Sequence, residues 1–225
     1  MGARAFAWLG GGLFVASLST CAWTYGFVMG RRLPAAGLSA LAVDAALVTI
    51  FALHHSLFAR ERVKAWLSRS LPASRLRSVY VWVASVLLIL VCLLWRPIGG
   101  EVYAASGVAA LALAAVQLAG LGITARGVAR IDPLELAGIR PASQTEGLQV
   151  TGPYGWVRHP LYLGWLLMVF GAAHMTGDRL AFAATTTVYL VIAIPWEERA
   201  LRRTFGDAYA RYARAVRWRM IPFIY

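Results

Sequence analysis

The apolar residues of this chain come in long blocks rather than at every third or fourth position. Six blocks predict six membrane spans, near Ala5–Met29, Leu38–Phe58, Tyr80–Trp95, Ala104–Thr124, Leu161–Met175 and Leu180–Trp196. A helix needs about 20 apolar residues to cross the hydrocarbon core, and the last two blocks fall short of that. Thr176-Gly177-Asp178-Arg179 joins them, which predicts a tight antiparallel hairpin seated among other helices or in a thinned bilayer. After Trp196 the period changes. Leu201, Phe205, Ala208, Tyr209 and Tyr212 recur at three- and four-residue spacing, while Arg202, Arg203, Asp207, Arg211 and Arg214 take the other face. The expected fold is all-α: a polytopic transmembrane helical bundle of about six spans, with a short helical hairpin and a cytoplasmic C-terminal helix.

Composition narrows the class. The 225 residues are 60% hydrophobic and 14% charged, against a charged fraction of about 25% in soluble domains. Once the spans are removed, no soluble domain of useful size remains, so residues 1–225 read as one integral membrane domain. The net charge of +12 sets orientation rather than marking a nucleic-acid binder. Of the 22 basic residues, 18 fall on one side of the predicted spans; Arg31, Arg32, Arg96 and Arg179 fall on the other. The positive-inside rule then puts both termini in the cytoplasm. The first 23 residues share features with a signal peptide, but the apolar run continues to Met29, which predicts a retained first span. Cys21 and Cys92 both lie in predicted spans, no C-x-x-C is present, and no three-ligand metal set is apparent.

Chemistry concentrates at the cytoplasmic ends of the hairpin. Gly152-Pro153-Tyr154-Gly155-Trp156-Val157-Arg158-His159-Pro160 is a turn that delivers a cation and an imidazole to the start of an apolar helix, with Pro160 where a first helical residue tolerates proline. The blander reading is an interfacial arginine beside a helix-start histidine. Glu197 and Glu198 close the sixth span. Adjacent helical positions point about 100° apart, so one acid can face solvent while the other faces the hairpin mouth, beside Arg158 and His159. A cation, an imidazole and a carboxylate at one dry-edged mouth form a candidate binding site. Elsewhere, His54 and His55 diverge on their helix and make a poor metal pair. Asp44 is an acid deep inside a span, open to a structural or a functional reading. Gly120 and Gly122 allow close approach, of a ligand or of a neighbouring helix. The longest predicted loop runs from Arg126 to Trp156 and carries Asp132, Glu135, Arg140 and Glu146.

The string Gly152-Pro153-Tyr154…Arg158-His159-Pro160-Leu161-Tyr162-Leu163-Gly164, followed by Glu197-Glu198 and by Phe205-Gly206-Asp207…Tyr209…Tyr212…Val216…Ile221-Pro222, resembles the isoprenylcysteine carboxyl methyltransferase and phospholipid methyltransferase superfamily of integral membrane enzymes. His55-Ser56…Ala59-Arg60, the run Asp132–Arg140 and Met175-Thr176…Leu180-Ala181-Phe182-Ala183 are similar to the bacterial branch that includes methanethiol S-methyltransferase. The resemblance implies an S-adenosylmethionine-dependent methyltransferase, placed in a bacterial inner membrane. It divides the chain into N-terminal helices (1–119) and a cofactor-binding catalytic half (120–225). It implies that Gly120, Gly122, His159, Tyr162, Gly164, Glu197 and Glu198 bind the cofactor, and that Arg158, His159 and Glu198 form the catalytic set. The acceptor expected is small or lipid-like and reaches the site from the membrane; a thiol is favoured, with a prenylcysteine-like carboxylate or a lipid amine as alternatives. A haem-binding or non-catalytic membrane protein is the reading from another class. The tail departs from the family pattern Val-Pro-x-Leu-Ile-Pro: Val216-Arg217-Trp218-Arg219-Met220-Ile221-Pro222 lacks the first proline and is one residue longer.

Overall fold

The computed structural model describes residues 2–58, 60–140 and 147–225. Ala59 and Glu146, both named above, lie outside the described residues. Helices dominate: α1 (Ala3–Trp23), α2 (Leu38–Phe58), α3 (Glu61–Leu67), α4 (Ala73–Leu94), α5 (Gly107–Val128), α6 (Pro133–Leu136), α7 (Pro160–Phe170) and α8 (Gly177–Ala215). The described residues also form two short strands, β1 (Glu101–Ala104) and β2 (His174–Thr176). Among the described residues, five helices are long and apolar enough to cross a membrane: Arg4–Val28, Ser39–Phe58, Arg75–Leu94, Gly107–Val128 and Gly177–Ala215. The protein is an integral membrane protein built as a helical bundle.

The fifth predicted span comes out differently. Its helix, α7, has only 11 residues, about 17 Å at 1.5 Å per residue, roughly half of the hydrocarbon core. The chain leaves the helix at Gly171 and forms β2 instead, which pairs with β1. Apolarity alone could not separate a buried half-length helix from a span. The sixth predicted span and the tail helix follow one another within α8 (Gly177–Ala215), which is two helices that meet at a kink at Gly206. Its apolar stretch ends at Trp196. Gly206, at φ 49° and ψ −124°, breaks the helical path beyond it.

The chain divides into two compact units. The first holds Met1–Glu101, Asp132–Gln144 and Thr176–Ala181. There α4 packs on both α1 and α2. Trp82 on α4 stacks on Phe6 of α1 with ring centroids 5.4 Å apart, and its Nε1 donates to the Phe6 carbonyl at 3.1 Å. α1 ends in a π-helical turn, Thr24–Val28, closed by a bond from Met29 N to the Thr24 carbonyl. Such a wide turn leaves carbonyls without helical partners. Arg179 takes two of them, donating to Tyr25 O at 3.1 Å and Gly26 O at 2.6 Å. Asp178 beside it accepts from Trp95 Nε1 and from the backbone N–H groups of Ile98 and Gly99, all within 2.9 Å. The buried Asp44 accepts from Arg96 N at 2.9 Å, so this span acid secures the loop after α4. His55 meets the Tyr80 hydroxyl at 2.5 Å.

The run from Asp132 to Arg140 in the same unit is a self-closing capped turn. Asp132 accepts from Leu134 N at 2.8 Å, as an N-cap does, and Pro133 opens α6. Gly138 follows at φ 70°, a left-handed conformation that ends the turn at low cost. Arg140 reaches back to Asp132 at 2.9 Å. Ser78 of α4 donates to the Gly138 carbonyl at 2.6 Å, and Arg77 donates to that of Glu135 at 3.1 Å.

The second unit holds Val102–Ile131, Thr145–Met175 and Phe182–Tyr225. Its centre is the contact of α5 with α7, and glycine makes that contact possible. A Cβ at Gly120 would sit 2.7 Å from the Gly164 carbonyl; one at Gly164 would overlap Thr124 Oγ1 and lie 2.8 Å from the Gly120 carbonyl. Each backbone therefore occupies the space a side chain on the other would need. Gln117 fixes the upper end, donating to Met168 O at 2.8 Å. The hairpin of α7 and α8 is antiparallel, as its partners pair in reverse order: Trp165 Nε1 with Thr186 Oγ1 at 3.1 Å, then Tyr162 with Glu197, then Arg158 with Glu198.

Candidate functional site

Every polar member of the candidate site belongs to the second unit. Three local structures deliver them. The turn Gly152–Gly155 leads into His159, which precedes Pro160 as the cap residue of α7. Beyond its apolar stretch, α8 presents Glu197, Glu198, Tyr209 and Tyr212. The tail then runs back against the turn: Arg158 N donates to Trp218 O at 2.9 Å and His159 N donates to Arg219 O at 2.7 Å. Tyr212 closes the other side, its hydroxyl donating to Tyr154 O at 2.8 Å. Tyr209, Tyr212 and Val216 form a small core with Leu148, Leu201, Phe205 and Ala213 packed around it. The apolar stripe read from the tail sequence is the face that makes this core.

Glu198 is the hub. Its side chain is 5% exposed, and Arg158, 8% exposed, donates Nε to Oε1 at 2.6 Å. Arg219 Nε stands 3.4 Å from Oε2, and His159 Nε2 stands 3.5 Å from Oε1. Burial works to raise the carboxyl of Glu198, but His159, Arg158 and the charge of Arg219 outweigh it and hold the group at about 2. A buried carboxylate this well compensated is charged throughout the physiological range.

Glu197, offset from Glu198 by about 100° around the helix, meets the same histidine from a more exposed position. It is 45% exposed, accepts from the Tyr162 hydroxyl at 2.7 Å, and lies 3.5 Å from His159 Nδ1. His159 is therefore bracketed by both acids and stacks on Tyr162 with ring centroids 5.3 Å apart. Its own burial disfavours the charged imidazole, yet the two carboxylates prevail and raise it above the ordinary 6.5. Arg158 is occupied on its second nitrogen too: Nη1 donates to Val216 O at 2.7 Å and Arg217 O at 2.8 Å. Two buried polar atoms, His159 Nε2 and the Tyr209 hydroxyl, have no well-formed hydrogen-bond partner. Such atoms cost free energy unless something else pairs with them.

The structure thus brings together Arg158, His159, Tyr162, Glu197 and Glu198 of the sequence-predicted set. Gly120 and Gly164 are engaged in the α5–α7 contact, whereas a Cβ at Gly122 would meet nothing within 4 Å. Sequence reasoning missed Arg219 and Tyr209 as members. The spacing of Tyr209 marked it as core, and it is, although its hydroxyl belongs to the polar cluster. Nothing in the linear tail marked Arg219, because its place depends on the chain doubling back on the turn at Arg158. Among the described residues, no group of three or more His, Cys, Asp or Glu is set to hold a metal ion.

Comparison with known proteins gives a consistent answer. The phospholipid methyltransferase family matches residues 139–208. Methanethiol S-methyltransferase 2 of Bradyrhizobium diazoefficiens is 37% identical over 185 residues, covering 79% of this chain and 71% of the relative. Methanethiol S-methyltransferase of Crocosphaera subtropica is 34% identical over 224 residues, covering 92% and 88%. That of Pseudomonas deceptionensis is 34% identical over 186 residues, covering 79% and 71%. No solved structure matches the chain.

Proposed function

Because the chain belongs to the membrane methyltransferase family that holds the methanethiol S-methyltransferases, we propose that it transfers a methyl group from S-adenosylmethionine to the sulfur of a small thiol. The chain is a membrane-embedded methyltransferase, so a methyl donor and a small-molecule substrate are required; the proposal names them. The observation that carries it is the buried, triply compensated Glu198 with Glu197 beside it.

The residues fit the donor. S-adenosylmethionine supplies an electrophilic methyl on a cationic sulfur and carries an ammonium, a carboxylate and ribose hydroxyls. Half-exposed Glu197 suits the ammonium or a hydroxyl, and the orphaned His159 Nε2 and Tyr209 hydroxyl supply polar partners at the same place. Glu198 is not free to bind: its work is to hold Arg158, His159 and Arg219 in register. Arg158 acts as a positioning residue, since its Nε and Nη1 tie Glu198 to the tail carbonyls. Gly122 lies on an open part of its helix and can run along a ligand, whereas Gly120 and Gly164 set the helix spacing behind it.

In the transfer, a thiolate sulfur forms a bond to the methyl carbon while the bond from that carbon to the sulfonium breaks. The products are a thioether and S-adenosylhomocysteine, and the thiol's proton has already gone to water. The site's share is alignment and exclusion of water rather than proton transfer. The two acids favour the charged form of His159, which makes its imidazole a less available base and suits an acceptor that needs little base help. The excess of basic residues supports a cytoplasmic position for this cluster with both termini inside, and the bacterial relatives support an inner membrane. Calorimetric titration of the detergent-solubilised protein with S-adenosylmethionine tests the donor. Binding in the wild type and its loss in a folded Glu197→Ala variant are expected; equal binding in both would refute the assignment.

A further inference from the structure

The cluster contains two arginines that differ in availability. Arg158 is buried, and its Nε and Nη1 are spent on Glu198 at 2.6 Å and on two backbone carbonyls. Arg219 is 36% exposed, and its nearest carboxylate oxygen stands at 3.4 Å. That is longer than a charge-assisted hydrogen bond of about 2.7–2.9 Å, whereas Arg158 holds the other oxygen of that carboxylate, Oε1, at 2.6 Å. Arg219 is nonetheless fixed in place. Its carbonyl accepts His159 N at 2.7 Å, its Nη1 donates to the Tyr225 hydroxyl at 3.0 Å, and its guanidinium lies over the Tyr225 ring, 5.1 Å from the centroid. The tail beyond is tied back as well, with Met220 N and Ile221 N both donating to Tyr225 O. Arg219 is thus a partly exposed, pre-oriented guanidinium beside a polar cluster, paired to Glu198 over a longer distance than Arg158 is.

We propose that Arg219 is the specificity-determining contact for the carboxylate of the donor's amino-acid end. Arg158 and Glu198 serve as the fixed frame behind it. The inference rests on the reading of S-adenosylmethionine as donor and goes beyond it, because it assigns the carboxylate to a tail residue. A guanidinium fork recognises a carboxylate through two parallel bonds. Arg219 can turn from its long contact with Glu198 to such a pair without leaving Tyr225. The carboxylate and the ammonium, which share the donor's α-carbon, would then be held by oppositely charged groups beside His159: Glu197 for the ammonium and Arg219 for the carboxylate. A donor lacking its carboxylate would lose this contact.

The test is a binding comparison with two ligands, S-adenosylmethionine and its decarboxylated analogue, by calorimetry on wild type, Arg219→Gln and Arg219→Lys. Gln keeps a donor for the Tyr225 hydroxyl, so the tail stays tied. The wild type is expected to prefer the carboxylated ligand by about ten- to hundredfold, the range of one charge-assisted hydrogen bond pair. Arg219→Gln should erase that preference while binding the decarboxylated analogue as the wild type does; Arg219→Lys should fall between. A preference that survives in Arg219→Gln overturns the inference and leaves the donor reading intact. An equal loss of both ligands in Arg219→Gln also overturns it, since the role would then be structural. Failure of the wild type to bind S-adenosylmethionine at all refutes the donor reading, and the inference with it.

Discussion

At the scale of single residues, the cluster around Glu198 makes its own pH window. The carboxyl of Glu198 is depressed to about 2 from 4.5, so its contribution to stability is present above 4.5 and lost as pH falls toward 2. His159 is raised above 6.5, so its contribution is complete below 6.5 and lost as pH rises through the raised value. The gap in melting temperature between wild type and Glu198→Gln should therefore be widest between 4.5 and 6.5 and narrow on both sides. A gap independent of pH would contradict the charge assignment. Arg158→Lys keeps the charge but cannot hold Glu198 and two carbonyls at once. Activity should fall at least tenfold while the protein still inserts. Much of this cluster was legible in the sequence. The Arg158-His159 pair, the two acids and their difference in exposure follow from a helix-start proline and the angle between adjacent helical positions. The saturation of Arg158 was not legible, because its partners are backbone carbonyls of the tail.

At the scale of elements, the spacing of α5 and α7 is set by two glycines whose backbones touch. Gly164→Ala should destabilise the fold by about 1–3 kcal/mol, the usual range for forcing atoms into a filled contact. Gly122→Ala should leave stability unchanged or raise it by about 0.5–1 kcal/mol, since the new methyl meets nothing and alanine favours helix. Thermal unfolding in one detergent compares the two, and equal destabilisation would contradict the packing account. Composition located the long helices well, because twenty apolar residues in a row leave little else to form. It misjudged the fifth, where β2 begins after an 11-residue helix. Backbone pairing with β1 decides that boundary, and a hydropathy profile carries no information on it. The loop motif Asp132–Arg140, read as a family mark, proves to be a capped turn whose conserved-looking chemistry is its own closure: Asp132 serves as cap, Gly138 as terminator and Arg140 as the clasp.

At the scale of the whole molecule, the uneven distribution of arginine sets the proposed orientation. Reporter fusions at Arg140 and at Tyr225 should read cytoplasm, and one at Gly177 should read the exterior. A fusion at Tyr225 reading the exterior would move the cluster to the wrong side for a soluble cytoplasmic donor. The membrane methyltransferase assignment rests on relatives that align over most of this chain; the acceptor is the finer step. Purified protein given S-adenosylmethionine with a labelled methyl group, and offered in parallel a small thiol, a prenylcysteine and a phospholipid amine, addresses that step directly. Label in the volatile thioether of the small thiol is the predicted result. Label only on the carboxylate or the amine, with none on any thiol, would contradict it.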